Sequence, residues 1–431
     1  MLPRALAGAT LMPDRDLLPD LPDLPDPPAL RPLDVRRSQR VNQPGIVLED
    51  QLGLSEPTFV PEQLLPIVGR CTGEASLDEI RAAASEQVGE EIPLDFVRTI
   101  VDDLDRRLLL FGPRFLAAVE QAANDFLASG VRPARHAGSA GYPADPAALR
   151  VALGDLLGAS APAAGPGAPH LRGLIAPHID LARGMAGYRA AYERLLAAPP
   201  ADLYVVFGTG HAGPSAPVTG LPLDWQTPLG VVRTDRDFVA AVHASIGAPA
   251  AADLLHHRLE HSLEFQMLLL QHLHERRGTN HPFQVAGFLC GALPSEHGNP
   301  LAEPWCQRLL EAFRSAAQAS NKTVCYLAGA DLAHIGPFFG DARAVDQARL
   351  DRLAAAERTR LSWLEQGSPG PFHAAVDCGN NPDRVCSAPA ITLCAALAEG
   401  PGELLHYGQA KARDGSQTVS FCAMAFPGPS P

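Results

Sequence analysis

At 431 residues, 46% of them hydrophobic and 19% charged, the chain is long enough to bury a sizeable core and to hold more than one domain. A net charge of −13, with Lys322 and Lys411 the only lysines and no basic block longer than DVRRSQR (34–40), argues against nucleic-acid and anionic-membrane partners; that block reads as a solvated linker. No apolar run is long enough to span a bilayer and the eight cysteines form no close pairs, so reduced thiols and a cytoplasmic location are expected.

The opening MLPRALAGATLM has one arginine and a short apolar stretch but no convincing cleavage site, which leaves export as the lesser reading. Residues 13–33 repeat Leu-Pro-Asp, and proline at that density forbids regular ladders, so residues 1–40 are expected to form a disordered or extended tail. From 41 to 115 a small α+β pattern follows, with GIVLEDQLGLSEPTFV as one or two short strands around a glycine turn. Ser76 and Glu79 make a capping box, and Ile80, Ala83, Ala84 and Val88 give the helix behind it one buried face. Val97, Ile100, Val101 and Leu104 do the same for the next helix, after which LLLFG reads as a terminal strand. Three short helices with flanking strands suggest a winged helix. The order of these elements resembles the PqqD-like peptide-binding modules that accompany peptide-modifying enzymes, which implies a peptide substrate or precursor as partner; a dimerisation or capping domain fits the pattern equally. A linker helix over 116–131 then leads into a large domain from 132 to 431.

All 15 histidines lie at or after residue 136 and seven of the eight cysteines after residue 289, so metal-capable chemistry belongs to the large domain. There, LRGLIAPH, ADLYVVFGTGH, FQVAGFLCGAL, TVCYLAGADLAH, GELLHYG and TVSFCAMAF read as strands, several alternating with helical patterns, the signature of an α/β sheet. Three of these runs end alike, in His178, His211 and His334. In open α/β sheets the ligand crevice lies beyond the carboxyl ends of the strands, so residues distant in sequence can meet there. The glycines of FGTGH would let the backbone turn sharply, and Asp331 near His334 could fix its tautomer. Any one of these histidines alone would more often be a hydrogen-bonded loop residue.

In LEHSLEFQMLLLQHL (259–273), His261 and Glu264 fall three apart and would share a helix face at a pocket mouth, or else form an ordinary acidic helix start. His256, His257, His272 and His274 are expected to be solvated. In DCGNNPDRVCSAPAITLCAAL, Ser387 can cap a helix with Pro389 in its first turn, which puts Cys386 at the positive end of the dipole, where thiolate is favoured. Cys394, inside the helix, reads as an inert core thiol and Cys378 as a substitute ligand.

The ordered set APHIDLARGMAGYRAAY, VVFGTGHAGPSAPVTG, LEHSLEFQMLLLQHL, AGADLAHIG and NPDRVCSAPAITLCAAL, preceded by RPARHAGSAGYPAD, resembles the Memo family, including the AmmeMemoRadiSam system protein B members. The resemblance implies an α/β fold similar to class III extradiol dioxygenases, here behind a small α+β winged-helix-like domain. It places a metal on His178, His211 and Cys386, acid/base or supporting roles on Asp331 and His334, and the pocket motif at His261 and Glu264; His261 is further expected to be catalytic and Asp180 to line the pocket. Radical SAM and AMMECR1-like proteins would be partners. The sequence departs from the pattern at Ile179 and Asp180, where Ala-Gly-Tyr usually continues, at Ser387, where glycine is common, and at Ala140 and Gly141, where an aromatic is usual.

Two imidazoles and a thiolate suit Fe(II), with Zn or Cu as alternatives. The expected activity is dioxygenase-like oxidation of an aromatic or peptidyl substrate, with His334 moving a proton. The competing readings are a non-catalytic peptide- or partner-binding scaffold and a zinc hydrolase.

Overall fold

The computed structural model describes residues 24–40, 43–139, 141–158, 169–278 and 281–428. The chain divides into two units after Phe126. Residues 1–23, with the opening MLPRALAGATLM and the first part of the Leu-Pro-Asp repeat, lie outside the described residues.

In the first unit, the segment from Leu24 departs from the expected tail. Leu24, Leu30 and Leu33 pack against a core built from residues such as Leu64, Ile80, Val97 and Leu104. Arg31 is buried with its guanidinium 2.7 Å from Asp50. Apolar anchors and a buried ion pair outweigh the disfavour of proline for regular structure. DVRRSQR is likewise a strand instead of a linker: β1 (Asp34–Arg40) pairs antiparallel with β2 (Gln43–Glu49), which pairs with β3 (Thr58–Pro61). Its charge finds partners across the ladder, where Arg36 Nε donates to Glu49 at 2.9 Å.

Four helices follow, α1 (Leu65–Val68), α2 (Leu77–Val88), α3 (Leu94–Arg106) and α4 (Pro113–Ala128). The Ser76/Glu79 capping box starts α2, and Val97, Ile100, Val101 and Leu104 are the buried face of α3. LLLFG does not form the expected strand. Leu108 takes a positive φ of 59°, and only an isolated bridge joins Leu110 to Leu30. The expected linker helix is α4, and the division between units falls within it.

The second unit is an α/β domain. Its short strand β4 (Val131–Arg132) and helix α5 (Pro146–Leu157) precede β5 (Leu171–Ala176), α6 (Met185–Leu196) and β6 (Leu203–Thr209). Then come β7 (Val218–Gly220), β8 (Asp224–Thr227), β9 (Gly230–Val232), α7 (Arg236–Ile246), α8 (Ala251–His256) and α9 (Ser262–Arg277). The rest comprises β10 (Gln284–Cys290), α10 (Pro304–Ser320), β11 (Val324–Gly329), β12 (Asp331–Ile335), α11 (Gln347–Glu365), α12 (Pro369–Asp377), α13 (Ala388–Ala398), β13 (Glu403–Lys411) and β14 (Thr418–Pro427).

The main sheet runs β12-β14-β5-β11-β6-β10-β7, with β13 also paired to β14. Its centre, β5-β11-β6-β10, is parallel and almost wholly buried, as continuous apolar runs such as LYVVFGT require. TVCYLAGADLAH is two strands: Gly329 ends β11 and Asp331 begins β12, which pairs antiparallel with β14 through an irregular register between Asp331 and His334. Because β5, β11 and β6 are adjacent and parallel, the residues leaving them, Pro177-His178, Ala330-Asp331 and Gly210-His211, emerge side by side. All eight cysteines are free, as expected. Among the described residues no helix is long and apolar enough to cross a membrane.

Candidate metal centre

Beyond the carboxyl ends of β5 and β6, the ligand-capable atoms of His178, His211 and His261 lie within 4.8 Å of one another. The ring centroids are 5.0 Å apart for His178 and His211, 5.2 Å for His178 and His261, and 4.9 Å for His211 and His261, whose rings stack. Close approach is built into the backbone. A Cβ at Gly208 would meet Ser262 Oγ at 2.6 Å, and Gly329 lies against the Ser262 carbonyl. These glycines let the start of α9 sit directly on β6 and β11. The glycines of FGTGH therefore serve close approach and not a left-handed turn, since neither Gly208 nor Gly210 has positive φ.

Each ring has one nitrogen held. His178 Nδ1 lies 3.0 Å from the Gly329 carbonyl, His211 Nδ1 3.0 Å from Glu260, and His261 Nδ1 3.3 Å from the same carboxylate. For His178 and His211 the hydrogen-bonded Nδ1 orients the ring and turns Nε2 away, the arrangement that metal-binding histidines use, with His178 Nε2 also 3.6 Å from Asp331, whereas His261 is held only by its charge contact with Glu260. Glu260 also accepts the backbone N–H groups of His261 and Ser262, both at 2.9 Å, and so caps the start of α9 while orienting two imidazoles. Burial would raise its pKa, but His211 and His261 hold it well below the usual carboxylate range. Burial would lower His211, yet Glu260 and Cys386 raise it well above its ordinary value; burial takes His261 down to about 3.

Cys386 Sγ lies 3.8 Å from His178 Nε2. Two donors on one ion, at about 2.3 Å for sulfur and 2.0 Å for nitrogen with tetrahedral angles, would stand about 3.5 Å apart, so the sulfur fits a common ion with His178. Burial would raise the thiol, but His178 and His211 bring it down to about 6. Of the expected ligands, His178 and His211 meet in space, and the third member of the group is His261, expected as a catalytic residue; Cys386 lies within reach of His178 but outside that group.

Other expected residues have different places. Asp331 is buried, which raises it to about 6 against the N–H of His178, donated at 3.0 Å. It does not orient His334, whose Nδ1 lies 3.1 Å from the Leu332 carbonyl and whose ring meets Phe339 edge-on at 5.1 Å. Burial lowers His334. Asp180 accepts the Arg183 N–H at 3.0 Å and pairs with that guanidinium, so it shapes the loop after β5.

Glu264 is a clearer correction. It is 1% exposed and does not line a pocket mouth with His261. Its carboxylate pairs with the fully buried Arg132, accepts from Tyr142 Oη, and receives the N–H groups of Arg135 and His136 at 3.1 and 3.0 Å. Burial would raise its pKa, but Arg132 and Tyr142 hold it down. His257, His272 and His274 are buried instead of solvated, and burial takes His257 and His274 down to about 3. His272 and His274 lie on α9, which packs against β6, β10 and β11 and against α5 and α6. Cys394 is a buried core thiol, raised by burial, and Cys378 is exposed.

Two residues escaped the sequence reading. Glu260 stands next to His261 in LEHSLE and would have been visible had the helix been started at Ser262. His136, in RPARHAG, brings its ring to 5.7 Å from His261. Beside Cys386 a cleft of about 560 Å³ opens, walled largely by apolar and glycine residues such as Gly291, Leu293, Val376 and Val385.

A family model described as Memo-like protein matches residues 132–425. A MEMO1 family protein of Aquifex aeolicus is 25% identical over 306 residues, covering 71% of this chain and 76% of the relative. Another, of Methanopyrus kandleri, is 27% identical over 305 residues, covering 66% and 95%. A third, of Pyrococcus abyssi, is 29% identical over 169 residues, 38% of this chain and 54% of that relative.

Proposed function

This chain belongs to the Memo family, and on that premise we propose that it is a metal-dependent, dioxygenase-like oxidoreductase. His178, His211 and His261 would hold the ion, with Cys386 as a fourth donor. The observation that supports this reading is the convergence of three imidazoles, two of them with Nδ1 already hydrogen-bonded and the third against Glu260. Nitrogen and thiolate donors suit Fe(II), Cu or Zn. Four such donors fill a tetrahedral zinc ion, which weighs against zinc hydrolysis, while an ion of higher coordination number keeps positions open. A bound ion would supply Lewis acidity and, for iron or copper, redox chemistry with oxygen.

The chain's own residues do the rest. Glu260 holds two rings in one orientation, and the Gly329 carbonyl holds the third. His334 donates its Nδ1 proton to Leu332, which leaves Nε2 as acceptor, and burial keeps the ring neutral, so it is fitted to take a proton from a substrate. The cleft beside Cys386, where Leu293, Val376 and Val385 face Ser295, Asp377 and Asn381, has the size of a small-molecule site and would suit an aromatic or peptidyl group. A precursor peptide delivered by the N-terminal unit, and radical SAM and AMMECR1-like co-workers in a cytoplasmic setting, belong to the same reading. Co-purification from the native host tests them.

The test of the activity is metal analysis of the purified protein, then anaerobic Fe(II) loading and oxygen uptake across aromatic compounds and peptides. Iron-dependent uptake that disappears in His211→Ala is expected. Stoichiometric metal with no uptake for any substrate would favour the binding-scaffold reading instead.

A further inference from the structure

Ser387 stands at the N-cap position of α13 yet makes no capping bond. Serine is favoured there because its oxygen takes an orphan helix N–H, so a buried N-cap serine turned away from its helix has another occupation. Its hydroxyl, on a residue 1% exposed, touches three groups: the Asp331 N–H donates to it at 3.0 Å, Thr209 Oγ1 lies at 2.8 Å, and Cys386 Sγ lies at 3.2 Å.

A hydroxyl has one hydrogen and two acceptor sites. The Asp331 amide can only donate, which occupies one site. Among the described residues the Thr209 hydroxyl has no other hydrogen-bond partner, so its hydrogen is satisfied by the second site. The hydrogen of Ser387 is then left for the sulfur. The chain of donation runs from Thr209 to Ser387 to Cys386.

The geometry points to Ser387 as a positioning residue, whose O–H donates to the Cys386 sulfur and sets its direction and donor strength. Three segments meet at this one oxygen: the end of β6 two residues before His211, the start of β12, and the residue after the thiol. Hydrogen bonds to ligand sulfur withdraw electron density from it, a recognised means of tuning metal sites. In its effect on a metal, this inference rests on the proposed role of Cys386 as a donor.

The test loads the full-length chain with Co(II) under anaerobic conditions and reads the thiolate-to-cobalt charge-transfer band together with Co(II) affinity. Ser387→Ala is expected to move the band to lower energy and weaken affinity about tenfold or more, the usual scale for supporting residues. Ser387→Thr, which keeps the hydroxyl, should restore the band. Thr209→Val should leave it in place, whereas a hydroxyl of Ser387 directed at Thr209 would swing to the sulfur in that variant and raise the band energy. An unmoved band in Ser387→Ala, or a raised one in Thr209→Val, overturns the assignment.

A second measurement needs no metal. In a Cys378→Ser background, at a pH where the thiolate is fully formed, Cys386 alkylation is followed by peptide-resolved mass spectrometry. Removing the hydroxyl should make it severalfold faster, and equal rates overturn the inference. A wild-type protein with no thiolate band but with this acceleration would remove the metal reading and keep the role of Ser387.

Discussion

Glu260 and Glu264 are both buried carboxylates, four residues apart at the start of one helix, and they do opposite work. Glu264 faces a guanidinium whose charge never changes, and Tyr142 and two backbone amides fill its remaining sites. Glu260 faces two imidazoles, whose charge does change and whose other nitrogens are free for a ligand. One carboxylate locks the domain's first loop to α9; the other prepares a site. The lesson is that burial and a lowered pKa do not mark function by themselves. What separates the two is whether the partner has a free valence left over.

Removing Glu264 should have the largest effect. Glu264→Ala leaves Arg132 buried and unpaired and should cost about 3–5 kcal/mol in chemical denaturation. The molecules that remain folded should still bind metal. A variant of unchanged stability that had lost its metal would reverse the roles assigned to the two carboxylates.

Glu260→Gln should do the converse. Chelator competition should show metal affinity reduced about 10- to 100-fold, while the denaturation midpoint moves far less than in Glu264→Ala.

Acidification should separate the two regions without mutation. On the proposed coordination a metal displaces a proton from His211, held well above its ordinary value, and below about pH 6 one from the Cys386 thiol as well, so affinity should weaken as pH falls and more steeply, by about tenfold or more for each pH unit, below about 6. Glu264, held below its ordinary value, contributes stability that is fully present above about pH 4.3 and is lost only as pH falls further. Between these limits the metal should leave first while the Arg132–Glu264 pair persists. Simultaneous loss of metal and fold would contradict the separation.

The smallest effect belongs to Asp180→Asn. Its pairing with Arg183 is largely exposed, so stability should change by less than about 0.5 kcal/mol and metal affinity not measurably. A marked loss of metal would restore Asp180 to the pocket.

The legible parts of the sequence were those governed by periodicity and strand order. The apolar runs gave the central strands, and the repeated strand-end histidines gave His178 and His211, because parallel neighbours must deliver their exits to one edge. Cys386 was legible from the helix behind it. The partner of Glu264 is not legible in the sequence, because spacing shows which residues share a face, not which charge waits opposite, and Arg132 lies 132 positions away. The same limit hid Glu260, whose role depends on a helix starting one residue after His261. Proximity in sequence pairs Asp331 with His334, whereas the fold turns it toward His178. The charge of DVRRSQR suggests a linker, yet a hairpin partner decides whether a polar segment becomes a strand.

The most direct test of the account is X-ray absorption on the stoichiometrically zinc-loaded protein. Nitrogen scatterers at about 2.0–2.1 Å and one sulfur at about 2.3 Å are predicted, with the sulfur lost in Cys386→Ser. A shell of light atoms alone, unchanged in His178→Ala, would contradict it.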